Sequence, residues 1–465
     1  MKKDLLFDLR SGKSLTRYQQ LCLIIRLSLP AIMAQLSSIV MQYIDASMVG
    51  RLGSECSASI GLVSSTTWLF GGLCTAVVTG FTVQVAQNIG AQKFSLSRNI
   101  MKMGILFAFL FGVLLMGVGA LISSSLPLWL GGKDEILKDS SNYFLIYALS
   151  LPIVQLNNVS SGMLQASGNM RVPSILHVFM CALDVIFNLV LIFDEFFIFG
   201  IRIYGFGLGV LGAALGTALS QVVIAFIMLF FLLFRSEMLK LRKSERFNFD
   251  LLYLGSAIKI AFPVAVEQVI TGGAYIAFTK IVSPLGNIAI AANSFAITAE
   301  SLCYMPGYGI GSAATTLIGQ SIGAKRHDLT RKLAWLTTLF GMLIMSVSGV
   351  LLYFLSPFMM ALLSPEQSVI KLGTEILRIE AFAEPFYAAS IIALGVFRGA
   401  GDTFAPSIMN FCSMWLVRIP LAALLASSYG LQGVWFAMCF ELCIRGIIFL
   451  IRLSGKKWSN KTLVK

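Results

Sequence analysis

Long apolar segments separated by short polar connections follow one another along the whole chain. Each segment holds about 20 residues or more, the length that a helix needs to cross roughly 30 Å of hydrocarbon. The pattern predicts twelve membrane-spanning helices, near residues 21–50, 57–86, 102–128, 141–165, 172–194, 207–234, 253–283, 288–320, 333–358, 372–397, 404–428 and 431–454.

Positive charge is spread unevenly between the connections, and this predicts the orientation. The termini and the even-numbered connections hold about 23 Lys and Arg, against about five in the odd-numbered ones, and cytoplasmic loops are the ones enriched in these residues. Both termini are therefore expected in the cytoplasm, with the chain in a bacterial inner membrane. No cleavable signal is expected, because a polar stretch with Lys2, Lys3, Arg10 and Lys13 precedes the first apolar run.

The two halves of the chain are repeats of each other. An offset of 233 residues relates them without a gap from the first span to the start of the fifth, and the first half then has a longer connection from Asp194 to Phe206. Six spans per repeat give both halves the same orientation, with a cavity between two bundles. The predicted lobes are residues 1–234 and 253–465, and the cytoplasmic linker is 235–252, whose cations are Arg235, Lys240, Arg242, Lys243 and Arg246.

Composition excludes a soluble protein. Hydrophobic residues make up 57% of the chain and charged residues 12%, and the mean hydropathy is +0.83, whereas a soluble chain is about 25% charged. The Lys and Arg residues that give the net charge of +13 lie between apolar segments. They therefore indicate membrane topology, and no nucleic-acid partner is expected. The chain has no HExxH motif and its cysteines form no CxxC pair, so neither an enzyme, a resident metal nor an organic cofactor is expected.

The repeated motifs resemble those of the multidrug and toxic compound extrusion (MATE) transporters. The resemblance is carried by the first-span residues Pro30, Gln35, Asp45 and Gly53, the loops Gln87–Ala91 and Gln320–Ala324, the turns Gly168–Pro173 and Gly401–Pro406, and Arg418-Ile419-Pro420. It implies an all-α integral membrane protein with twelve transmembrane helices in two pseudo-symmetric six-helix lobes. It also implies export of organic, often cationic, compounds driven by entry of H⁺ or Na⁺.

Asp45 is the first candidate for cation coupling. A charged side chain inside a membrane costs roughly 2.5–3.5 kcal/mol on insertion scales, so such residues mark functional sites. Asp45 lies about five residues inside the outer end of span one, with no charged residue one helical turn away. The resemblance matches it to the first-span acid that couples ion entry to export in this family.

Asp184 and Asn188 are the second candidates. They are four residues apart in span five, so they share one helix face, at a depth that allows contact with Asp45. The family usually places Asn before the acid in this span, and the reversed order leaves open which of the two titrates. A polar pair that only packs helices together is the alternative.

The second half lacks the first candidate, because Phe278 stands at the repeat position of Asp45. Coupling is therefore expected in the first lobe. Glu267 and Glu300, with Gln35 and its repeat partner Gln268, are predicted to line the substrate cavity. Lys280 is an alternative partner that would make one of the acids structural.

The remaining intramembrane charges are expected to hold the bundle together. Glu380 with Glu384 and Glu441 with Arg445 are spaced i to i+4, and Arg418 is expected to brace neighbouring helices. Pro30 and Pro263 are hinge candidates, because proline kinks a helix. His177 and His327 show no metal-binding spacing and receive no role.

An ion-coupled antiporter that works by alternating access of two lobes is therefore the predicted function. Its expected partners are small organic cations or drugs, the coupling ion and the lipid bilayer, and it is expected to be a monomer. A flippase for lipid-linked sugars is the alternative; its cavity would be lined by basic residues that hold phosphate, whereas intramembrane acids outnumber bases here.

Overall fold

The structure is a computed structural model that describes residues 5–198, 201–242, 245, 247–459, 461 and 463; Lys2, Lys3, Lys243 and Arg246 lie outside the described residues. In chain order its elements are α1 (Leu5–Arg10), α2 (Arg17–Gly50), α3 (Ser54–Gly90), α4 (Phe94–Ile122), α5 (Leu126–Trp129), α6 (Asp134–Ala166), α7 (Arg171–Ile192), β1 (Glu195–Ile198), β2 (Ile201–Tyr204), α8 (Gly209–Phe230), α9 (Leu251–Val282), α10 (Asn287–Gly323), α11 (His327–Leu363), α12 (Gln367–Glu380), α13 (Glu384–Gly399), α14 (Phe404–Phe411) and α15 (Ile419–Ser454).

The twelve predicted spans fall mainly on helical residues, although 102–128 runs from α4 into α5 and 372–397 runs from α12 into α13. Within the described ranges, nine helices are long and apolar enough to cross a membrane, or ten if α12 and α13, which meet at a bend of 60°, form one span. The helix α6 is not among them because polar side chains interrupt its apolar surface. The stretch Phe404–Ser454 is one of the nine, although it contains the last two predicted spans. The backbone breaks between these spans at Gly430, which has φ 57° and ψ −140°.

Three pairs of equivalent residues confirm the predicted repeat in the backbone itself. Gly53 and Gly286 have φ of 124° and 95°, and Gly168 and Gly401 have φ of 91° and 77°. Gln92 and Lys325, which are not glycines, also share the left-handed region with φ of 59° and 57°. Such conformations are uncommon for residues with a side chain, so their recurrence at an offset of 233 shows that the loops are copies.

The loops after the second span of each repeat meet through glycine. A Cβ atom on Gly90 would lie 2.1 Å from the carbonyl oxygen of Gln320, and one on Gly323 would lie 1.8 Å from that of Gln87. No other residue fits such a distance. Each loop thus makes the same contact with the other, as expected for two loops related by a local two-fold axis.

The longer connection of the first half is a β-hairpin, which the sequence did not predict. Strand β1 pairs antiparallel with β2, and Glu195 lies opposite Tyr204. The backbone N–H of Gly205 donates to the carbonyl oxygen of Asp194 at 2.8 Å and closes the hairpin base. This insertion explains why the repeat register slips between spans five and six.

The chain divides into two compact units: Met1–Leu36, Ala86–Gln92 and Phe262–Lys465 form the first, and Ser37–Val85 and Lys93–Ala261 form the second. Three helices, α2, α3 and α9, change unit along their length. Two of them, α2 and α9, carry Pro30 and Pro263. The predicted lobe boundaries and the hinge role of these prolines stay predictions.

Residues after α15 return to the bundle in the first unit. The Trp458 indole is buried and its ring lies 5.9 Å from that of Phe397. The fully buried carboxylate of Asp402 pairs with Arg452 and, at 2.7 Å, with Lys461. This segment therefore neutralises a charge in the connection before α14.

The linker between α8 and α9 is held by α4 in the second unit. The Arg98 guanidinium donates to both carboxylate oxygens of Glu245 and, at 2.9 Å, to the carbonyl oxygen of Met238. Hydrogen bonding from Arg98 lowers the pKa of Glu245 below its usual value. The linker thus follows a defined course across the end of α4.

The topology prediction can be tested with single cysteines in a cysteine-free variant. Lys240 in the linker and Lys133 before α6 are both exposed, and three spans separate them. We expect an impermeant maleimide to label Lys133→Cys but not Lys240→Cys in intact cells, because the positive connection stays inside. Labelling of Lys240→Cys in sealed cells would contradict the orientation.

Candidate functional site

The residues predicted for cation coupling lie together in the second unit. Asp45 is near the end of α2, whereas Asp184 and Asn188 lie one turn apart on α7. The helix α8 packs against α7 and contributes Ser220. Asp184 and Asn188 are fully buried, and Asp45 is half-buried.

A single amide nitrogen joins the two carboxyls. Asn188 Nδ2 donates to Asp45 Oδ1 at 2.8 Å and to Asp184 Oδ2 at 2.9 Å. The other oxygen of Asp184 accepts a hydrogen bond from Ser220 Oγ at 3.4 Å. The reversed Asp-then-Asn order therefore places the amide between the acids, so that both acids share one donor.

Close approach of α8 to α7 depends on Gly216. A Cβ atom there would lie 2.1 Å from Asn188 Oδ1. This oxygen is buried and has no hydrogen-bond partner among the described residues. The site thus offers an unpaired amide oxygen beside two carboxyls, and carbonyl and carboxylate oxygens are ligands that hard cations prefer.

The equivalent place in the second repeat is apolar. Phe278 is 5% exposed and packs in a cluster with Ala292 and Leu431. No charge can be bound there without a large desolvation cost. The two repeats are therefore alike in backbone and different in chemistry.

Glu267 is held by three side chains of the first unit. Asn410 Nδ2 donates to its Oε1 at 2.8 Å, Ser407 Oγ donates to its Oε2 at 3.1 Å, and an Arg398 nitrogen lies 3.5 Å from Oε2. The cation beside Glu267 is Arg398, whereas Lys280, the alternative partner, is exposed. The pair joins α9 to α13, which spacing along the sequence could not indicate.

Glu380 and Glu384 lie on either side of the bend between α12 and α13. Both are 1% exposed, and neither carboxyl has a hydrogen-bonding nitrogen or oxygen among the described residues. Arg378, the nearby cation in sequence, instead lies over the ring of Tyr353. The Cys303 side chain lies within hydrogen-bonding distance of Glu384, but neither acid forms the ion pair that the structural role favoured from the sequence would supply.

Glu300 on α10 adds a third buried carboxyl to this region. It interacts electrostatically with Glu380 and Glu384. Three tyrosines adjoin them: the ring of Tyr304 lies 5.5 Å from that of Tyr387 and 5.9 Å from that of Tyr308. We call Glu300, Glu380 and Glu384 the acidic cluster.

Glu441 forms the ion pair that its spacing predicted. Arg445, one turn along α15, donates to it at 2.7 and 2.8 Å. Arg418 donates to the same carboxylate at 2.6 and 2.9 Å, and Ser413 also donates to it. Both arginines and Ser413 thus converge on one carboxylate, which ties the π-helical segment Cys412–Arg418 to the last span.

The other residues predicted to line the cavity are Gln35 and Gln268. Both are half-buried, and their role stays a prediction. Within the described ranges, no group of three or more His, Cys, Asp or Glu side chains is arranged to hold a metal ion.

Comparison with known proteins identifies the family. The MatE family model matches residues 30–190 and 263–424, once in each repeat. The chain belongs to this family, as its doubled motifs indicated.

Curated relatives match along nearly the whole chain. A Thermotoga maritima protein described as "Probable multidrug resistance protein NorM" is 25% identical over 450 residues, covering 95% of this chain and 94% of its own. An Idiomarina loihiensis protein with the same description is 26% identical over 447 residues, with 92% of both chains covered.

Solved structures share the fold. A MOP superfamily transporter from Pyrococcus furiosus has a TM-score of 0.88 at 18% identity, covering 98% of this chain and 99% of its own. The Vibrio cholerae MATE transporter VcmN has a TM-score of 0.86 at 18% identity and covers 97% of both chains.

The Glu441 network predicts a large effect on stability. Glu441→Gln would leave two buried guanidinium groups without a counter-charge, and breaking a buried pair costs about 3–5 kcal/mol. We expect a clearly lower Tm for purified protein in detergent. The control is Glu375→Gln, which removes a half-buried acid that contacts Gln432; an equal Tm for both variants would contradict the bracing role.

Proposed function

We propose that this chain is a multidrug exporter that couples entry of H⁺ or Na⁺ to efflux of organic cations. Membership of the MatE family supports a transporter rather than an enzyme. The described function of the NorM relatives supports drugs as the class of substrate. The site chemistry supports the coupling and the sign of the substrate charge.

The observation that carries the proposal is the shared amide between Asp45 and Asp184. Two carboxylates that both accept from Asn188 Nδ2 repel each other. Binding of a proton or a sodium ion removes that repulsion, so occupancy of the site changes the energy of the surrounding helices. A coupling site needs this property, since an ion shifts a conformational equilibrium only through different affinities for its two states.

The acidic cluster supports a cationic substrate. Its carboxyls are buried in a lobe whose nearby arginines are already engaged, Arg418 and Arg445 by Glu441 and Arg398 by Glu267. An organic cation entering beside the tyrosines would supply the missing positive charge, and aromatic faces also attract cations. A lipid-linked sugar with its phosphates would meet negative charge instead, which disfavours the flippase alternative.

Asp45→Asn tests the coupling. The variant keeps the shape of the side chain but cannot change charge, so we expect ethidium to bind while gradient-driven transport into inverted vesicles is lost. Separate pH and Na⁺ gradients identify the ion in the native protein.

Asp139→Asn is the matched control, because Asp139 is an exposed acid at the start of α6. It should transport at the native rate. Native, gradient-dependent transport by Asp45→Asn would place the coupling elsewhere.

Glu384→Gln tests the sign of the substrate. Loss of one buried carboxylate should weaken ethidium binding about tenfold, which corresponds to about 1.4 kcal/mol, because an attractive charge is lost in a medium of low dielectric constant. Binding of a neutral dye should change little, and Glu375→Gln should change neither. Equal loss for neutral and cationic dyes would indicate a packing defect instead.

A further inference from the structure

A row of polar side chains continues from the coupling site into the interior of the second unit. On α6, Asn157, Ser161 and Gln165 are spaced by four residues and so share one face. His177 and Asp184 share a face of α7, seven residues or about 10 Å apart along the helix. The row leads from Asp184 towards the connection 167–170, which the positive charge predicts to be cytoplasmic.

Close contacts link members of the row in two groups, one around Asn157 and one around Ser161. Asn157 Nδ2 donates to Gln221 Oε1 at 2.9 Å, next to the Ser220 that donates to Asp184. The same nitrogen lies 3.9 Å from the sulfur of Met180.

The row continues with Ser161 Oγ, which lies 3.4 Å from His177 Nε2; the tautomer of the ring decides which atom donates. Gln165 Nε2 donates to Ser161 Oγ at 3.2 Å. Polar side chains are thus placed at successive turns between the buried coupling site and half-buried Gln165.

Two atoms of the row have unused hydrogen-bonding capacity. Asn157 Oδ1 and His177 Nδ1 are buried and have no hydrogen-bond partner among the described residues. Leaving such atoms dry costs free energy, and buried water normally satisfies them. Helix packing alone would favour apolar or mutually satisfied side chains at these positions.

At the equivalent positions of the second repeat, the polar side chains have hydrogen-bonding partners. At the offset of 233, Gln165 corresponds to Arg398 and His177 to Asn410. Both equivalents bind Glu267, whose own counterpart in the first repeat is Ala34. The first repeat therefore keeps polar groups at these places without the carboxylate that closes the cluster.

We propose that the row is a hydrated path by which the coupling ion leaves the Asp45–Asn188–Asp184 site for the cytoplasm. The inference rests on the proposed function. Ser161 and His177 act as positioning residues that hold water, and water with side-chain oxygens can pass either a proton or a sodium ion. The path covers the inner part of the span, where the ion would otherwise cross hydrocarbon.

Hydroxyl-radical footprinting tests the water directly, without transport. Radiolysis of the purified protein oxidises a buried methionine only where water is close to its sulfur. Met180, beside Asn157, and Met163, which packs near Gly104, are 4% and 0% exposed. We expect Met180 to be oxidised several-fold faster than Met163, and Ser161→Val to reduce that difference; equal rates in the native protein would overturn the proposal.

Transport separates the path from the coupling site. His177→Phe should lower gradient-driven ethidium transport at saturating substrate without changing KM, while exchange of labelled for unlabelled ethidium continues, because exchange needs no ion release. His177→Asn, which copies Asn410, should recover the lost rate because an amide also holds water.

The outcomes distinguish this proposal from the proposed function. Native gradient-driven rates in both His177→Phe and Ser161→Val would overturn the path. The coupling site is tested separately, because only native gradient-dependent transport by Asp45→Asn would contradict it. If His177→Phe loses exchange and has a lower Tm, Ser161→Val decides: slow gradient-driven transport with intact exchange supports the path, and equal loss of both overturns it.

Discussion

A charged side chain inside an apolar medium must be neutralised, and the partner that neutralises each intramembrane charge shapes the described structure. Glu441 is enclosed by two arginines, and Glu267 is held by Arg398. The Glu267–Arg398 pair joins helices that are distant in sequence, and Arg418 ties the π-helical segment to the last span, so both contacts favour particular spans as neighbours. Asp45, Asp184 and the acidic cluster form no ion pair among the described residues, and the proposed function assigns these acids to ions and substrates.

Much of the architecture could be predicted because it depends on local sequence. Segment length predicts a span, and an offset of 233 predicts copied loops, which the paired left-handed residues Gln92 and Lys325 confirm. The Glu441–Arg445 pair was predictable for the same reason, since one helical turn separates its members. The proximity of Asp45 to Asn188 followed from their matching depth in the membrane.

Features that depend on contacts between distant helices could not be predicted. Nothing in the spacing of Glu267 points to Arg398, which is 131 residues away. The bend between α12 and α13 is a second case, because Glu380 and Glu384 look like neighbours on one continuous helix. The hairpin of β1 and β2 was missed because its strands are only four residues each, too short for an alternating pattern to stand out.

The pairing of Asp402 with Arg452 and Lys461 has a consequence for biogenesis. During translation, the Asp402 carboxylate leaves the ribosome about 50 residues before its first partner and about 60 before its second. Until then it needs water, lipid headgroups or the insertion machinery as a temporary partner. Full pairing of the Asp402 carboxylate therefore requires that the chain be synthesised through residue 461.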